Sequence, residues 1–369
     1  MIETNLWTNI QPIFIFLIVL SVLILVHEWG HFITAKFLGV EVQEFALGFG
    51  PTLLSKKFHG TNYMLKLFPL GGYVRMLGDE REKCTGRPQE FYSKSPGARA
   101  LIVLNGPIVN FLLAYLSFVF VFMLGYPDLS AKIGKLIDAY PAQTAHLEVG
   151  DRIVRVNDKK IESWSDIQKN VVFSKGKELH IVYLRNGQEM TATIVPKVER
   201  RKNIFGQYQE LSLIGIVPTE EFVALKYNFT TSIGKAFEKL VEITTMTFKA
   251  IYFMLTGSMS AKENMTGPIG IFYIIKAAAE LGFVNVLYIV GVISASLAIF
   301  NLLPIIPLDG GHLFLLAVEK IRGNMLSPKI EEYIARFGFT LIMMLALFVF
   351  YSDFSRFGWF DKIKGILPF

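Results

Sequence analysis

The segment Val26-His27-Glu28-Trp29-Gly30-His31 holds the residues whose types and spacing most directly imply chemistry. Residues four apart share one face of a helix, so His27 and His31 present two imidazoles to the same point. Imidazoles at that spacing can grip one zinc ion. Glu28, one position on, then stands where a general base would act on a water beside it. The competing reading is a polar patch of a transporter pore, or histidines hydrogen-bonded to neighbouring helices. The location favours the metal. The motif follows 23 residues, Thr4 to Val26, with no Asp, Glu, Lys or Arg. Ionisable groups in such a setting are costly and need a compensating ligand.

Zinc needs a third protein ligand and leaves a fourth place for water. Candidates must lie at the same depth. His27 lies nine residues before Lys36, about 13 Å from the end of its helix at about 1.5 Å per residue. A later apolar run ends in Asn301-Leu-Leu-Pro304-Ile-Ile-Pro307-Leu308-Asp309-Gly310-Gly311-His312. Its two prolines cannot continue a regular helix. Irregular backbone at membrane depth is tolerated only where it lines a cavity or protein. Depth favours Asp309 as the third ligand. His312 is the rival and lies further along the chain. His59, His146 and His180 read as surface histidines.

The elements that must hold these groups follow from where charge is missing. Of 369 residues, 52% are hydrophobic and 18% are charged. Soluble proteins carry about 25% charge, so an ordinary soluble enzyme and a disordered chain are both excluded. Three stretches lack Asp, Glu, Lys and Arg: Thr4 to Val26 (23 residues), Ala100 to Pro127 (28) and Leu281 to Leu308 (28). Each exceeds the roughly 20 residues that cross a bilayer. A fourth, Phe337 to Ser352, is shorter at 16 residues but very apolar. The fold class expected is a polytopic α-helical membrane protein of about four transmembrane helices, carrying an inserted β-rich domain. The first stretch lacks a basic n-region and a small-residue cleavage site, so it reads as a retained anchor. The single cysteine, Cys84, excludes an internal disulfide framework.

The net charge of +6 reads as a topology signal and not as nucleic-acid binding. Lys36 to Arg99 holds ten Lys/Arg against six Asp/Glu, which places that loop in the cytosol. Parity then puts the N-terminus, the 128–280 region and the C-terminus outside, and the 310–336 loop inside. Arg356, Lys362 and Lys364 in the tail run mildly against the last assignment.

Between the second and third spans the composition turns soluble. Ile153–Val156, Leu179–Leu184 and Met190–Val195 have strand patterns, and Asn186-Gly187 between the last two is a hairpin signal. Ser165 to Val172 reads as a short helix. Pro141-Ala-Gln-Thr-Ala-His-Leu-Glu-Val-Gly-Asp-Arg-Ile153 resembles the PDZ segment PAxxAGLxxGDxI, with His146 where that pattern has Gly. PDZ folds bind extended peptides by strand addition; the plainer alternative is a spacer or steric gate. Lys235 to Lys249 has the spacing of an amphipathic helix, and Gly267-Pro268-Ile269-Gly270 breaks it.

With these motifs in place, the chain resembles the site-2 protease family of intramembrane metalloproteases. The likeness is to the bacterial RseP type (regulator of sigma-E protease) with a PDZ domain, here a single one. His27 to His31 matches the family's first-helix motif. Asn301 to Gly310 matches NxxPxxxLDG, which implies Asp309 as a zinc ligand and Asn301 in holding the substrate backbone. Asn105-Gly106-Pro107-Ile-Val-Asn110 resembles the element at the start of the second core helix, and Asn105 is expected to help position substrate. Phe45 to Gly50 and Pro69-Leu-Gly71-Gly72-Tyr-Val-Arg75 look like the loop that re-enters the membrane as a β-hairpin. Gly71-Gly72 is read as its turn, and its unpaired edge as a place for substrate to add as a strand.

The expected organisation is 1–36, first span with the motif; 37–99, cytosolic loop with the re-entrant β-hairpin; 100–127, second span; 128–221, periplasmic PDZ-like domain; 222–280, amphipathic linker helices; 281–312, third span; and 313–369, loop, fourth span and tail. The resemblance implies a zinc-dependent endopeptidase that cleaves single-span membrane proteins, such as anti-sigma factors or signal-peptide remnants, inside the bilayer of a bacterial inner membrane. Glu28 is expected as the base and His27, His31 and Asp309 as the metal set. Two alternatives remain: a membrane zinc protease of the prenylated-protein type, and a non-enzymatic zinc-binding scaffold or transporter whose PDZ recruits partners.

Overall fold

The computed structural model describes residues 6–203 and 207–358. Lys362 and Lys364 of the tail lie outside the described residues. The chain begins with helix α1 (Leu6–Phe37), followed by strands β1 (Val42–Phe58) and β2 (Thr61–Met76) and helix α2 (Pro96–Leu124). Next come β3 (Tyr126–Leu129), β4 (Ile133–Leu136), α3 (Pro141–Thr144), β5 (Arg152–Val156), β6 (Lys159–Lys160) and α4 (Trp164–Phe173). Strands β7 (Leu179–Arg185), β8 (Gln188–Ile194), β9 (Lys197–Lys202), β10 (Tyr208–Leu213), β11 (Ile216–Pro218) and β12 (Phe222–Leu225) follow. The last part is helical: α5 (Phe229–Leu255), α6 (Ala261–Asn264), α7 (Pro268–Glu280), α8 (Phe283–Asn301), α9 (Asp309–Arg322) and α10 (Pro328–Arg356).

Four of the described helices are long and apolar enough to cross a membrane: Ile10–Phe37, Pro96–Leu124, Phe283–Asn301 and Pro328–Arg356. These are the four charge-poor stretches. The ends moved for physical reasons. The third helix stops at Asn301, seven residues before the end of its uncharged run, because Pro304 and Pro307 follow. The fourth starts at Pro328, where Pro takes the first helical position and the Ser327 hydroxyl accepts from Ile330 N–H.

The chain divides into two compact units. One comprises Met1–Phe118, Ala236–Phe248 and Ala261–Phe369. Its helices pack through Val19 and Leu23 of α1 and Ile275 of α7, with Ile289, Ile293 and Leu297 of α8 alongside. Its sheet is more than a simple hairpin. Phe45, Ala46 and Leu47 each pair on two sides, with Tyr63, Met64 and Leu65 on one and with Val74, Tyr73 and Gly72 on the other. The second half of β1 then pairs back on Thr61–Lys66. Two bent strands therefore make four ladder rows, and residues 72–76 are an outer row.

The tight turn in this sheet is at His59-Gly60, correcting the reading of Gly71-Gly72 as the turn. His59 (φ 45°) and Gly60 (φ 80°) adopt the positive φ values that a two-residue hairpin needs, and Phe58 pairs with Thr61 across them. Gly71 and Gly72 lie inside β2. Phe49, Leu53, Leu54, Phe58 and Phe68 of this sheet are at least half exposed.

The other unit comprises Val119–Lys235 and Lys249–Ser260. It is wider than the 128–221 interval because β3 pairs with β12, Tyr126 facing Leu225 and Leu129 facing Phe222. Its core joins Ile133, Leu147, Ile153, Trp164, Ile181 and Ile194. A four-stranded sheet runs β6-β5-β7-β8, and β4 pairs separately with β11. Asn186 (φ 52°) and Gly187 (φ 83°) form the β7–β8 turn. His146 has φ 59°, the left-handed conformation that explains why the PDZ pattern carries Gly there.

Candidate metal centre

The site is built on two helices that approach closely and on a third that starts beside them. On α1, His27 and His31 point to one side. Facing them on α2 is a row at the same spacing: Ile102, Gly106 and Asn110. His31 Nδ1 donates to the Ile102 carbonyl at 3.0 Å. His27 Nδ1 lies 3.2 Å from the Asn110 side-chain amide. Gly106 sits between them. A Cβ there would overlap His31 Nε2 and lie 2.9 Å from His27 Cε1, so only glycine leaves room for both rings. The crossing is close elsewhere too, since a Cβ on Gly30 would come within 2.5 Å of the Asn105 carbonyl.

The third group, Asp309, is the first residue of α9. The chain leaves α8 at Asn301, is kept irregular by Pro304 and Pro307, and doubles back. Gly310 and Gly311 allow the fold-back, because a Cβ on either would collide with backbone of the 302–306 segment. His27 Nε2 is 3.2 Å from His31 Nε2, and Asp309 Oδ2 is 3.1 Å and 3.5 Å from these two nitrogens.

These three atoms fit zinc. Ligands about 2.0 Å from a tetrahedral ion stand about 3.3 Å apart, and the three measured separations bracket that value. Asp309 Oδ2 is buried and within reach of both nitrogens, yet neither contact has the geometry of a good hydrogen bond. The proton of His31 is on Nδ1, where it meets Ile102, so Nε2 presents a lone pair. Lone pairs converging in a buried place repel unless a cation lies between them. Among the described residues, His27, His31 and Asp309 form the one group of three potential ligands placed this way.

A cleft of about 540 Å³ opens on this centre. Its wall includes Glu28, Asn301, His312 and the outer strand row at Gly72 and Tyr73. Asn301 Nδ2 is 3.4 Å from His27 Nε2. Gly72 passes close to Glu28, since a Cβ there would lie 3.1 Å from Glu28 Cγ. His312 lines the cleft without joining the cluster of three. Tyr92 also lines it, and burial pushes its phenol up from the ordinary tyrosine value.

Two expected substrate-positioning residues are elsewhere. The Asn105 amide donates to the Gly30 carbonyl at 3.0 Å and to Thr34 Oγ1, fastening α2 to α1. Gly71 lies against the Phe49 ring. Neither lines the cleft. Sequence reasoning placed Gly106 and Asn110 in a family element without giving either a contact to the histidines, and did not single out Ile102. The available signal was their spacing of four, matching that of the two histidines, and a polar Asn inside a 28-residue uncharged run.

A helical His-Glu-x-x-His pair completed by an Asp at a helix start, inside a bundle of membrane-length helices, defines an integral-membrane metallohydrolase. The comparisons agree. The model of Peptidase family M50 matches residues 15–345, and the chain belongs to that family. It is 36% identical over 345 residues to a Clostridium acetobutylicum protein named "Putative zinc metalloprotease", covering 92% of this chain and 96% of that one. A Campylobacter jejuni protein with the same description is 34% identical, covering 92% of each chain. The zinc metalloprotease RasP of Oceanobacillus iheyensis is 27% identical over 421 residues, covering 92% of this chain and 98% of that protein. This chain is a multi-pass membrane metallopeptidase that uses zinc.

Proposed function

We propose that this peptidase hydrolyses transmembrane segments of single-span membrane proteins within the bilayer. The observation that carries the reading is the convergence of His27 Nε2, His31 Nε2 and Asp309 Oδ2 beside Glu28, in a cleft whose wall is an outer strand row. His27, His31 and Asp309 hold zinc. When bound, zinc acidifies a water and polarises the scissile carbonyl. Glu28 receives the proton on its carboxylate and passes it to the departing amine nitrogen. Asn301, at the C-terminal end of α8, offers its amide N–H to the substrate backbone.

A helix resists proteolysis because its backbone groups are paired internally. The row at residues 72–76 has an unpaired side on the cleft, and an extended segment added there regains the hydrogen bonds its helix gives up. Gly72 lets that segment lie close to Glu28. The exposed apolar residues Leu53, Leu54 and Phe68 suit a sheet that re-enters the membrane. Asn105 acts on the helix crossing and not on substrate.

The unit around β3 to β12 reads as one PDZ-like module. The β4–β11 pair, the β5–β7–β8 sheet and the capped helix α4 support this. The excess of Lys and Arg between the first two spans supports a cytosolic loop 37–99, a PDZ-like unit on the periplasmic side and a bacterial inner-membrane location. Anti-sigma factors or signal-peptide remnants are the substrate class proposed.

The test is Glu28→Gln in detergent or proteoliposomes with a single-span model substrate. Cleavage should fall by at least about 100-fold, while bound zinc stays at one per chain because Glu28 is not a ligand. Cleavage at the wild-type rate would overturn the mechanism.

A further inference from the structure

We infer that Asn110 is the positioning residue that selects the metal-binding tautomer of His27. The inference rests on His27 being a zinc ligand and extends it to a residue outside the ligand set.

A neutral imidazole has one N–H and one lone pair, and the partner of one nitrogen decides which is which. For His31 the partner is fixed. The Ile102 carbonyl can only accept, so His31 carries its proton on Nδ1 and turns its Nε2 lone pair to the site. His27 has no backbone carbonyl at Nδ1. Its partner there is the Asn110 amide, whose Nδ2 position lies 3.2 Å away; the oxygen and nitrogen of an amide are assigned from the surrounding network, so either can occupy that position.

The two choices have opposite consequences. If the amide nitrogen faces His27, Nδ1 must accept, the ring proton moves to Nε2, and the lone pair that would hold zinc is lost. In that orientation the buried Asn110 Oδ1 also has no partner. If the oxygen faces His27, Nδ1–H donates to it. The orphaned oxygen gains its donor and the Nε2 lone pair is delivered to the site. The positions of N and O in an amide are set by such networks. Metal-binding histidines almost always donate this hydrogen bond from the outer nitrogen.

Asn110 is built to hold that post. It is fully buried. Its backbone carbonyl accepts the Ser294 hydroxyl at 2.8 Å, which ties this point of α2 to α8. The α2 row therefore serves each histidine differently: Ile102 by its main chain, Asn110 by its side chain, Gly106 by having none.

The experiment measures zinc affinity by chelator competition on the purified full-length protein. Asn110→Leu keeps the bulk and removes the acceptor; zinc affinity should fall about 10- to 100-fold. Asn110→Asp keeps an oxygen toward Nδ1 and should restore affinity to within a few fold of wild type. Ser294→Ala disturbs packing at the same point and should lower the melting temperature while leaving zinc affinity unchanged. Wild-type affinity in Asn110→Leu, or equal losses in the Leu and Asp variants, overturns the inference. His27→Ala separates this from the underlying reading. If His27→Ala keeps zinc at wild-type affinity, the ligand assignment fails. If it loses zinc while Asn110→Leu does not, only the role of Asn110 fails.

Discussion

Asp309 and Asp353 are carboxylates of the same helical unit, and their surroundings are opposite. Asp353, on α10, is fully buried. Its Oδ1 accepts from Gly267 N–H at 3.2 Å and its Oδ2 from Gly270 N–H at 2.9 Å. It thereby caps α7, whose first N–H groups have no partner within the helix. Ser352 and Arg356 add bonds to the carbonyls of residues 262–265. Asp309 Oδ2 faces two imidazole nitrogens at 3.1 and 3.5 Å, without a hydrogen bond of good geometry from either. One carboxylate is finished by the fold. The other is the one we propose is completed by a cation. In a chain with so few buried charges, that difference separates a structural group from a functional one.

The largest effects should split these two residues. Asp309→Ala should weaken zinc binding at least about 100-fold and bring proteolysis to background. It should leave the melting temperature of the zinc-free protein within a few degrees of wild type, since no backbone group depends on Asp309 as the α7 N–H groups depend on Asp353. Asp353→Ala should do the reverse. It strands two buried N–H groups at a cost of about 1–3 kcal/mol each, lowering the melting temperature while zinc affinity stays within about twofold. Equal zinc loss in both variants would break the comparison. A somewhat smaller effect is expected at Gly106. Its Ala variant places a methyl group against both imidazoles and should cost at least tenfold in zinc affinity, read by chelator competition, with the helical circular dichroism signal preserved.

The comparison also explains what was legible in the sequence. His27, Glu28 and His31 could be read because a fixed spacing on one helix is a local property. The four spans could be read because missing charge is also local. Asp309 was readable through its depth and the prolines before it. Asn105 and Asn110 could not be sorted, since both meet α1, and which one reaches a histidine and which only fastens the two helices depends on the crossing that Gly30 and Gly106 permit. The sheet of β1 and β2 was misread at its turn because Gly71-Gly72 is the stronger turn signal in sequence. His59-Gly60 takes the turn instead, and the glycine at 72 lies inside β2, where a Cβ would crowd Ala46, Ile24 and Glu28, the last of them 44 residues away in the chain. Asp353 gave no signal of its role, because its partners are backbone N–H groups 83 and 86 residues earlier.

Glu90 is a third carboxylate and sharpens the same contrast by pH. It is only 2% exposed. The Cys84 thiol donates to it at 3.0 Å and the Thr85 hydroxyl at 2.6 Å, and the backbone N–H groups of Thr85, Gly86 and Arg87 close around it at 2.8–3.1 Å. These donors lower its pKa from 4.5 to about 2. The ionised form is thus favoured in the folded state, so its contribution is complete above about pH 4.5 and is lost as pH falls toward about 2. Glu90→Gln keeps the shape and removes the titration. An Asp309→Ala background removes one titrating carboxylate of the proposed metal site, and the remaining groups are common to both proteins compared. On it, adding Glu90→Gln should make the melting temperature fall less steeply between about pH 4.5 and about pH 2.5 than it does with Glu90 in place. Parallel slopes would mean that the loop does not depend on the charge. The effect on proteolysis at neutral pH should be the smallest of the series. Glu90 is complete without a cation, and it does not itself line the cleft.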